Sequence, residues 1–158
     1  MRIPAKVDYA IRAMAELAAA GGASMKAEQL AEAQDIPLKF LRAILTDLRR
    51  ARLVISHRGP EGGFVLARPA TDVALADIFR AIDGPLAEVH DRPLSSMTYE
   101  GAAHELPVVW MAVRAALRRV LELTTLADLA GHSIPPSVLD LADEYRAVTE
   151  QRRTTGTH

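Results

Sequence analysis

Residues 37–69 read PLKFLRAILTDLRRARLVISHRGPEGGFVLARP, and this stretch decides the fold. Its first part has two different helical faces. The apolar residues recur at helical spacing and are Leu38, Leu41, Ile44, Leu45 and Leu48. The opposite side carries Lys39, Arg42, Thr46 and Arg49. The spacing therefore predicts an amphipathic helix with a buried apolar face and an exposed basic face.

A β-hairpin is predicted directly after this helix. Residues 53–57 and 64–67 favour strands, and the sequence between them is Arg58-Gly59-Pro60-Glu61-Gly62-Gly63. Glycine permits positive φ and proline fixes φ near −65°, so this segment favours a tight turn. A basic helix followed by a hairpin with arginine at its tip is typical of a winged helix-turn-helix, which places the helix in the major groove.

The flanking segments complete a mainly α fold. Residues 5–18 predict a first helix that ends at Gly21-Gly22, and Ser24 is expected to cap a second helix at 26–33. Asp35-Ile36-Pro37 then forms the turn into the basic helix. After the hairpin, residues 75–82 predict a short helix that ends at Asp83-Gly84-Pro85.

A long helix is predicted from residue 106 onwards, after the irregular segment 86–105. Its apolar residues alternate spacings of three and four, as in a coiled-coil seam: Leu106, Val109, Val113, Ala116, Val120 and Leu123. Two arrangements compete, because such a helix can dock on its own domain or pair with a second copy. We expect a homodimer, since a two-fold dimer can read a palindrome.

These patterns predict four regions. Residues 1–84 form a winged helix-turn-helix DNA-binding domain, and residues 85–104 form an effector or sensor loop. Residues 105–151 contain the dimerisation helix and C-terminal helices, and residues 152–158 form a disordered tail.

Composition restricts the class of protein. The 158 residues contain no cysteine, which excludes disulfides and thiolate metal sites, and no run of about 18 apolar residues predicts a membrane span. A cytoplasmic location without membrane contact is expected. Residues 1–69 carry 11 basic and 7 acidic side chains, whereas residues 70–158 carry 8 and 13. This asymmetry is expected if the first half contacts phosphate, although charge also fluctuates along any chain.

The segments RGPEGGFVLARP, ALADIFRAIDGPL and VWMAVRAALRRVLELTTLADL together resemble the Rrf2 family of bacterial transcription regulators. The likeness extends over about residues 1–130. It implies a winged helix-turn-helix with a long dimerisation helix. It also implies a homodimeric repressor or activator of transcription, and we expect a repressor.

The resemblance also implies contacts with double-stranded DNA. Family positions near bases correspond to Lys39, Phe40, Arg42 and Ala43 on the basic helix, and Arg49 lies on the same face. The wing would bring Arg58 and the backbone of Gly62 and Gly63 to the minor groove. Positions near phosphates correspond to Arg2, Lys6 and Lys26. For each basic residue the alternative is an ordinary solvated surface.

Several positions differ from the family pattern. Relatives often have serine at Pro37 and threonine at Ala74, so these two helix starts need other partners. Glu61 occupies a wing position that is often glycine, and its carboxylate would repel phosphate unless it points away. Members that sense iron, nitric oxide or redox state hold an iron–sulfur cluster with cysteines, so we expect no such cofactor here.

The sensor loop leaves three hypotheses open. It could form a pocket for a small effector or a partner protein, as in cluster-free relatives linked to cysteine and sulfur metabolism. It could also be a purely structural loop, or hold a zinc-like ion through His90, Asp91, His104 and Glu105, although their spacing matches no recognised ligand pattern and we expect no metal site. The residues considered for an effector site are His90, Tyr99, His104 and Trp110.

Two other classes of function are alternatives. An enzyme is not expected, because the sequence has no phosphate-binding glycine loop, nucleophile elbow or metalloprotease motif. A winged-helix adaptor that binds proteins instead of DNA is the second alternative. The basic character of the helix and wing argues against it.

Overall fold

The computed structural model describes residues 3–86 and 96–155. The predicted mainly α fold with a two-stranded wing is confirmed. The elements are α1 (Ala5–Ala19), α2 (Ala27–Gln34), α3 (Leu38–Arg50), β1 (Val54–His57), β2 (Gly63–Leu66), α4 (Leu75–Asp83), α5 (Leu106–Leu123), α6 (Leu126–Ala130) and α7 (Pro136–Thr155). Short 3-10 turns occupy Ala70–Asp72 and Gly101–Ala103. No helix in the described part of the chain has the length and apolar character needed to cross a bilayer.

The hydrophobic core is built around α1. This helix packs on α2, α3, α4 and α6, so that each of them covers part of its surface. Its own contribution is Val7, Ala10, Ala13, Met14 and Leu17. The predicted apolar face of α3 is confirmed as well, because Leu41, Ile44, Leu45 and Leu48 are all buried. Burial of one such side chain contributes about 1.5–3 kcal/mol, so this face fixes α3 firmly against the core.

The turn between α2 and α3 is tight. Asp35 ends α2 in the left-handed conformation, with φ of 49°, and the buried Ile36 donates its backbone N–H to Ala31 O at 2.9 Å. Pro37 precedes α3 and makes no side-chain cap, as expected from its lack of a side-chain acceptor. At the start of α4 a side chain accepts a backbone hydrogen bond: the N–H of Ala74 donates to Asp77 Oδ2 at 3.3 Å.

The expected role of Ser24 as a helix cap is wrong. The Ser24 hydroxyl donates instead to the backbone carbonyl of Glu61 in the wing, at 2.9 Å. Lys26 occupies the N-cap of α2, and its backbone N–H donates to Gln29 Oε1 at 2.8 Å. The side chain at the third helical position therefore satisfies this helix start, which is half of a capping box.

The hairpin is antiparallel, and its register pairs Val54 with Leu66 and His57 with Gly63. It is also joined to the rest of the domain. Met25, just before α2, exchanges two backbone hydrogen bonds with Phe64, at 3.0 and 2.8 Å. The wing is consequently held at a fixed position beside the helix-turn-helix.

Helix α6 belongs to the same core as the N-terminal helices. The side chain of Leu126 in α6 lies in the same core as α1, although it comes about 40 residues after α4. Two backbone hydrogen bonds join this region to α4: Leu75 N–H donates to Thr124 O, and Leu126 N–H donates to Val73 O, both at 2.9 Å. We call this pairing the α4–α6 joint. The predicted boundary between residues 1–84 and 105–151 thus does not separate two cores.

The last helix is longer than expected. It was predicted to end at residue 151 and to be followed by a tail, but α7 continues to Thr155. The sequence contains neither proline nor glycine after Pro136 and before Gly156, so nothing in it interrupts the helix earlier.

Candidate nucleic-acid interface

The outer face of α3 is exposed and basic. Lys39, Phe40, Arg42, Ala43 and Arg49, all predicted to approach DNA, are solvent-exposed. Phe40 is 63% exposed, which is unusual for a large aromatic side chain in a monomeric domain. Because four leucine and isoleucine side chains on the opposite face of α3 are buried, these side chains are held in one orientation. The helix therefore presents cations and one aromatic ring to whatever covers it.

Two of the residues predicted to contact DNA form ion pairs with carboxylates of the same chain. Arg42 lies 2.6 Å from Glu28 of α2, and Lys6 lies 2.7 Å from Asp47 of α3. The backbone N–H at Glu28 and the Arg42 guanidinium lower the pKa of Glu28, so it stays ionised at neutral pH. Both pairs are exposed, so each adds little to stability. DNA would have to replace these carboxylates as a partner.

Sequence reasoning missed Glu28 and Asp47 as components of this surface. Asp47 also lies 3.6 Å from Arg50, three residues later on the same helix. That spacing was visible in the sequence. The contact between Glu28 and Arg42 joins two helices through a tight turn, so no local spacing predicts it.

Two of the residues predicted to contact phosphate are exposed near helix starts. Lys26 is exposed at the start of α2, and Lys6 is exposed near the start of α1. Helix starts are favourable positions for phosphate, because their backbone N–H groups point outward. Arg2, the third predicted phosphate contact, lies outside the described residues.

The wing exposes Arg58 at its tip and buries the glycine that follows the turn. Gly59 has φ of 107°, and its carbonyl accepts a hydrogen bond from Gly62 N–H at 2.9 Å. Gly62 itself is buried, and a Cβ atom there would lie 2.5 Å from His57 O. The N–H of Gly62 therefore serves the turn itself. A contact of the Gly62 and Gly63 backbone with DNA stays a prediction.

Gly63 is required for another reason. A Cβ atom at this position would lie 2.6 Å from Met25 O and 3.2 Å from Lys26 N. The close approach of β2 to the start of α2 leaves no space for a side chain. Gly63 thus allows the wing to join the helix-turn-helix.

The predicted dimerisation residues form an exposed apolar strip. Val109, Val113 and Leu123 are 51%, 42% and 51% exposed, and no residue of α5 is fully buried. Ala116 is exposed, whereas Leu106 and Val120 are half-buried. Three of these residues, Val113, Ala116 and Val120, also line an apolar groove of about 460 Å³. It is lined by residues of α1, α4, α5 and α7 together with Ile3 and Leu86, and these include Val7, Phe79, Val113, Leu117 and Leu141.

The residues considered for an effector site have different environments. Tyr99 is half-buried and its hydroxyl lies 3.8 Å from Met97 Sδ, and Trp110 is half-buried on α5. His104 is exposed, with Nδ1 at 3.1 Å from Glu105 Oε1. His90 and Asp91 lie outside the described residues. Within residues 3–86 and 96–155, no group of three or more potential ligands could hold a metal ion.

Comparison with known proteins gives consistent matches. A family model described as "Rrf2: Iron-dependent Transcriptional regulator" matches residues 3–132. The chain is 53% identical to Rv1287 of Mycobacterium tuberculosis, named as a helix-turn-helix transcriptional regulator, over 100% of this chain and 99% of that relative. It is 34% identical to the transcriptional regulator CymR of Bacillus subtilis, over 84% of this chain and 92% of CymR.

The chain is also similar to solved structures of transcriptional regulators. The structure of CymR, described as the global cysteine regulator of B. subtilis, superposes with a TM-score of 0.71 at 30% identity and covers 84% of this chain and 98% of CymR. A transcriptional regulator from Listeria innocua superposes with a TM-score of 0.70 at 33% identity, over 85% of this chain and 90% of that chain.

Proposed function

Because the chain belongs to the Rrf2 family of transcriptional regulators, we propose that it is a homodimeric repressor that binds a palindromic operator in double-stranded DNA. The observation that carries the proposal is the exposed cationic face of α3 beside a wing tethered through Met25 and Phe64. In this arrangement α3 enters the major groove, and the wing lies beside it over the backbone or minor groove.

Each basic side chain has a distinct role in this proposal. Arg42 can donate two hydrogen bonds to guanine O6 and N7 once it leaves Glu28, which gives sequence preference. The apolar ring of Phe40 can contact the methyl group of a thymine base. Lys26 and Lys6 contribute phosphate contacts, which position the domain but read no sequence.

Dimerisation through α5 is supported by the exposed apolar strip. A single chain leaves large aliphatic side chains on α5 and α7 in contact with water, among them Val109, Val113, Leu123 and Leu141. A contiguous apolar surface of this kind marks a protein interface more often than a free surface. A second copy that covers this strip would also place two copies of α3 on one duplex.

We propose that the regulator works without an iron–sulfur cluster, although its family model carries the description iron-dependent. Such clusters are held by cysteine thiolates, and the sequence contains none. The oxygen and nitrogen ligands in the described residues are not clustered either. The residues present therefore do not fit the group. A small effector or a partner protein is the proposed signal, with control of cysteine or sulfur metabolism suggested by the likeness to CymR.

Selection of bound sequences from random DNA tests the proposal. We expect a palindrome whose half-sites are separated by about one helical turn, because two copies of α3 would read the same groove face. Binding to it should weaken steeply with salt, since several cations replace condensed counterions. The chain would act in the cytoplasm, where bacterial DNA is accessible. Affinity that does not change with salt would instead favour a protein adaptor.

Substitution of the arginine on α3 and of the arginine in the wing should have different effects on DNA binding. Arg42→Ala should relax the base preference at one position, costing about 1–3 kcal/mol on the preferred site but little on other DNA. Arg58→Ala should weaken binding to the selected site through loss of the wing contact. Gel-shift titrations on the selected site and on a scrambled duplex measure both effects. Arg119→Ala, on α5, is the control. If Arg42→Ala and Arg58→Ala both bind with wild-type affinity, the proposed DNA-reading face is wrong.

A further inference from the structure

A second concave surface lies away from α3, between the end of α4 and the middle of α5. It has a volume of about 390 Å³, which suits a small molecule. Six residues line it: Arg80, Gly84, Pro85, Leu86, Arg114 and Arg118. We call it the arginine pocket. Three of its six residues are guanidinium cations, which no motif in the sequence predicted.

The positive charge of the arginine pocket is only partly neutralised. Arg80 and Arg118 share one carboxylate, since both donate to Glu122, and the bond from Arg118 Nε measures 2.9 Å. Asp77 lies 3.7 Å from Arg80, but it also pairs with Arg68 at 3.2 Å. The shared contacts hold the pKa of Glu122 below its usual range, so the carboxylate remains charged and fixes two guanidinium groups.

Arg114 has no such partner among the residues that the structure describes. It is half-buried, and among residues 3–86 and 96–155 no carboxylate lies within 4.0 Å of its side-chain nitrogens. It also stands four residues before Arg118, a spacing at which like charges repel on a helix. A half-buried cation beside two others is unfavourable unless an anion joins them.

We propose that the arginine pocket binds a small organic anion that carries a carboxylate or phosphate group. The guanidinium of Arg114 would donate to the oxyanion in the bidentate geometry that suits both groups. Arg118 and Arg80, already oriented by Glu122, would add further positive charge. Pro85 and Leu86 provide an apolar wall for the carbon skeleton of the ligand.

This inference rests on the proposed function, because it gives the regulator a site for its signal. Leu86 lines both the arginine pocket and the apolar groove, which residues of the dimerisation strip also line. Val113 and Leu117 of the groove are also immediate sequence neighbours of Arg114 and Arg118. An anion that draws α4 and α5 together would thus change the surface that a second copy covers. Such a differential contact is what a ligand needs to shift DNA affinity.

Isothermal titration of the full chain with inorganic phosphate and with succinate tests the proposal, at constant ionic strength set with sodium chloride. We expect at least one of the two anions to bind once per chain with a Kd below about 1 mM. Arg114→Gln should weaken that binding by about tenfold or more, and Arg114→Lys by less, since lysine keeps the charge but loses the fork.

Arg119→Gln is the matched control, because it removes the same charge five residues further along α5, outside the pocket lining. Its Kd should stay within about twofold of wild type. Absence of binding below 1 mM for both anions, or equal weakening in Arg114→Gln and Arg119→Gln, would overturn the proposal. Neither measurement contains DNA. A failure of the proposed DNA binding therefore shows itself separately, in the gel shift.

Discussion

Val113→Glu should convert the proposed dimer into monomers and reduce affinity for the full operator by about a hundredfold or more. Val113 lines the apolar groove of α5 and is 42% exposed in a single chain, so a second copy would bury the remainder. An unpaired carboxylate in such an interface costs several kcal/mol, and two-fold symmetry introduces it twice. A monomer reads one half-site only, which removes the gain from simultaneous binding.

Sedimentation velocity and gel-shift titration measure the two effects of this substitution. Val108→Glu is the matched control, because Val108 is also on α5 and 56% exposed but does not line the groove. It should leave both the mass and the affinity near wild type. If the Val113 variant sediments with an unchanged mass, the proposed interface is wrong. If both variants dissociate equally, the interface is not confined to the predicted strip.

Gly63→Ala should detach the wing and destabilise the fold by about 3 kcal/mol. The added methyl group would lie 2.6 Å from Met25 O, which is backbone and cannot rotate away. Overpacking of this kind costs about 1–3 kcal/mol. Loss of the two hydrogen bonds between Met25 and Phe64 adds roughly 0.5–1.5 kcal/mol each if the strands separate. Urea denaturation monitored by circular dichroism gives the change in the free energy of unfolding.

Glu61→Ala is the control for the wing. The side chain of Glu61 is exposed, and only its backbone carbonyl is used by Ser24, so the substitution should change stability by less than about 0.5 kcal/mol. It should also leave DNA affinity unchanged or increase it, because one negative charge near phosphate is removed. Wild-type stability of Gly63→Ala would show that β2 and the segment before α2 can move apart without loss.

The sequence was sufficient for elements with strong periodicity. The alternating faces of α3 and the glycine-rich turn between β1 and β2 predicted both elements to within a residue or two. The a/d spacing likewise predicted α5 from Leu106 to Leu123. These signals are local, so they need no knowledge of the tertiary structure.

Contacts between distant segments were not predictable in the same way. Ser24 is a good cap by residue type, but the wing brings the Glu61 carbonyl to its hydroxyl and the helix begins two residues later. The pairing of Arg42 with Glu28 depends on the angle between α2 and α3. The arginine pocket requires α4 and α5 to meet, although Arg114 comes 34 positions after Arg80 in the sequence. Each of these features is a product of packing.

The α4–α6 joint has a geometric consequence for a paired molecule. Its two backbone hydrogen bonds leave no free linker between the end of α5 and the body that carries α3. If two copies meet along α5, the separation of their reading heads is set by rigid packing instead of by a tether of variable reach. The protein would then accept only one distance between half-sites. In an operator with one base pair inserted at its centre, the half-sites would be both too far apart and rotated out of phase.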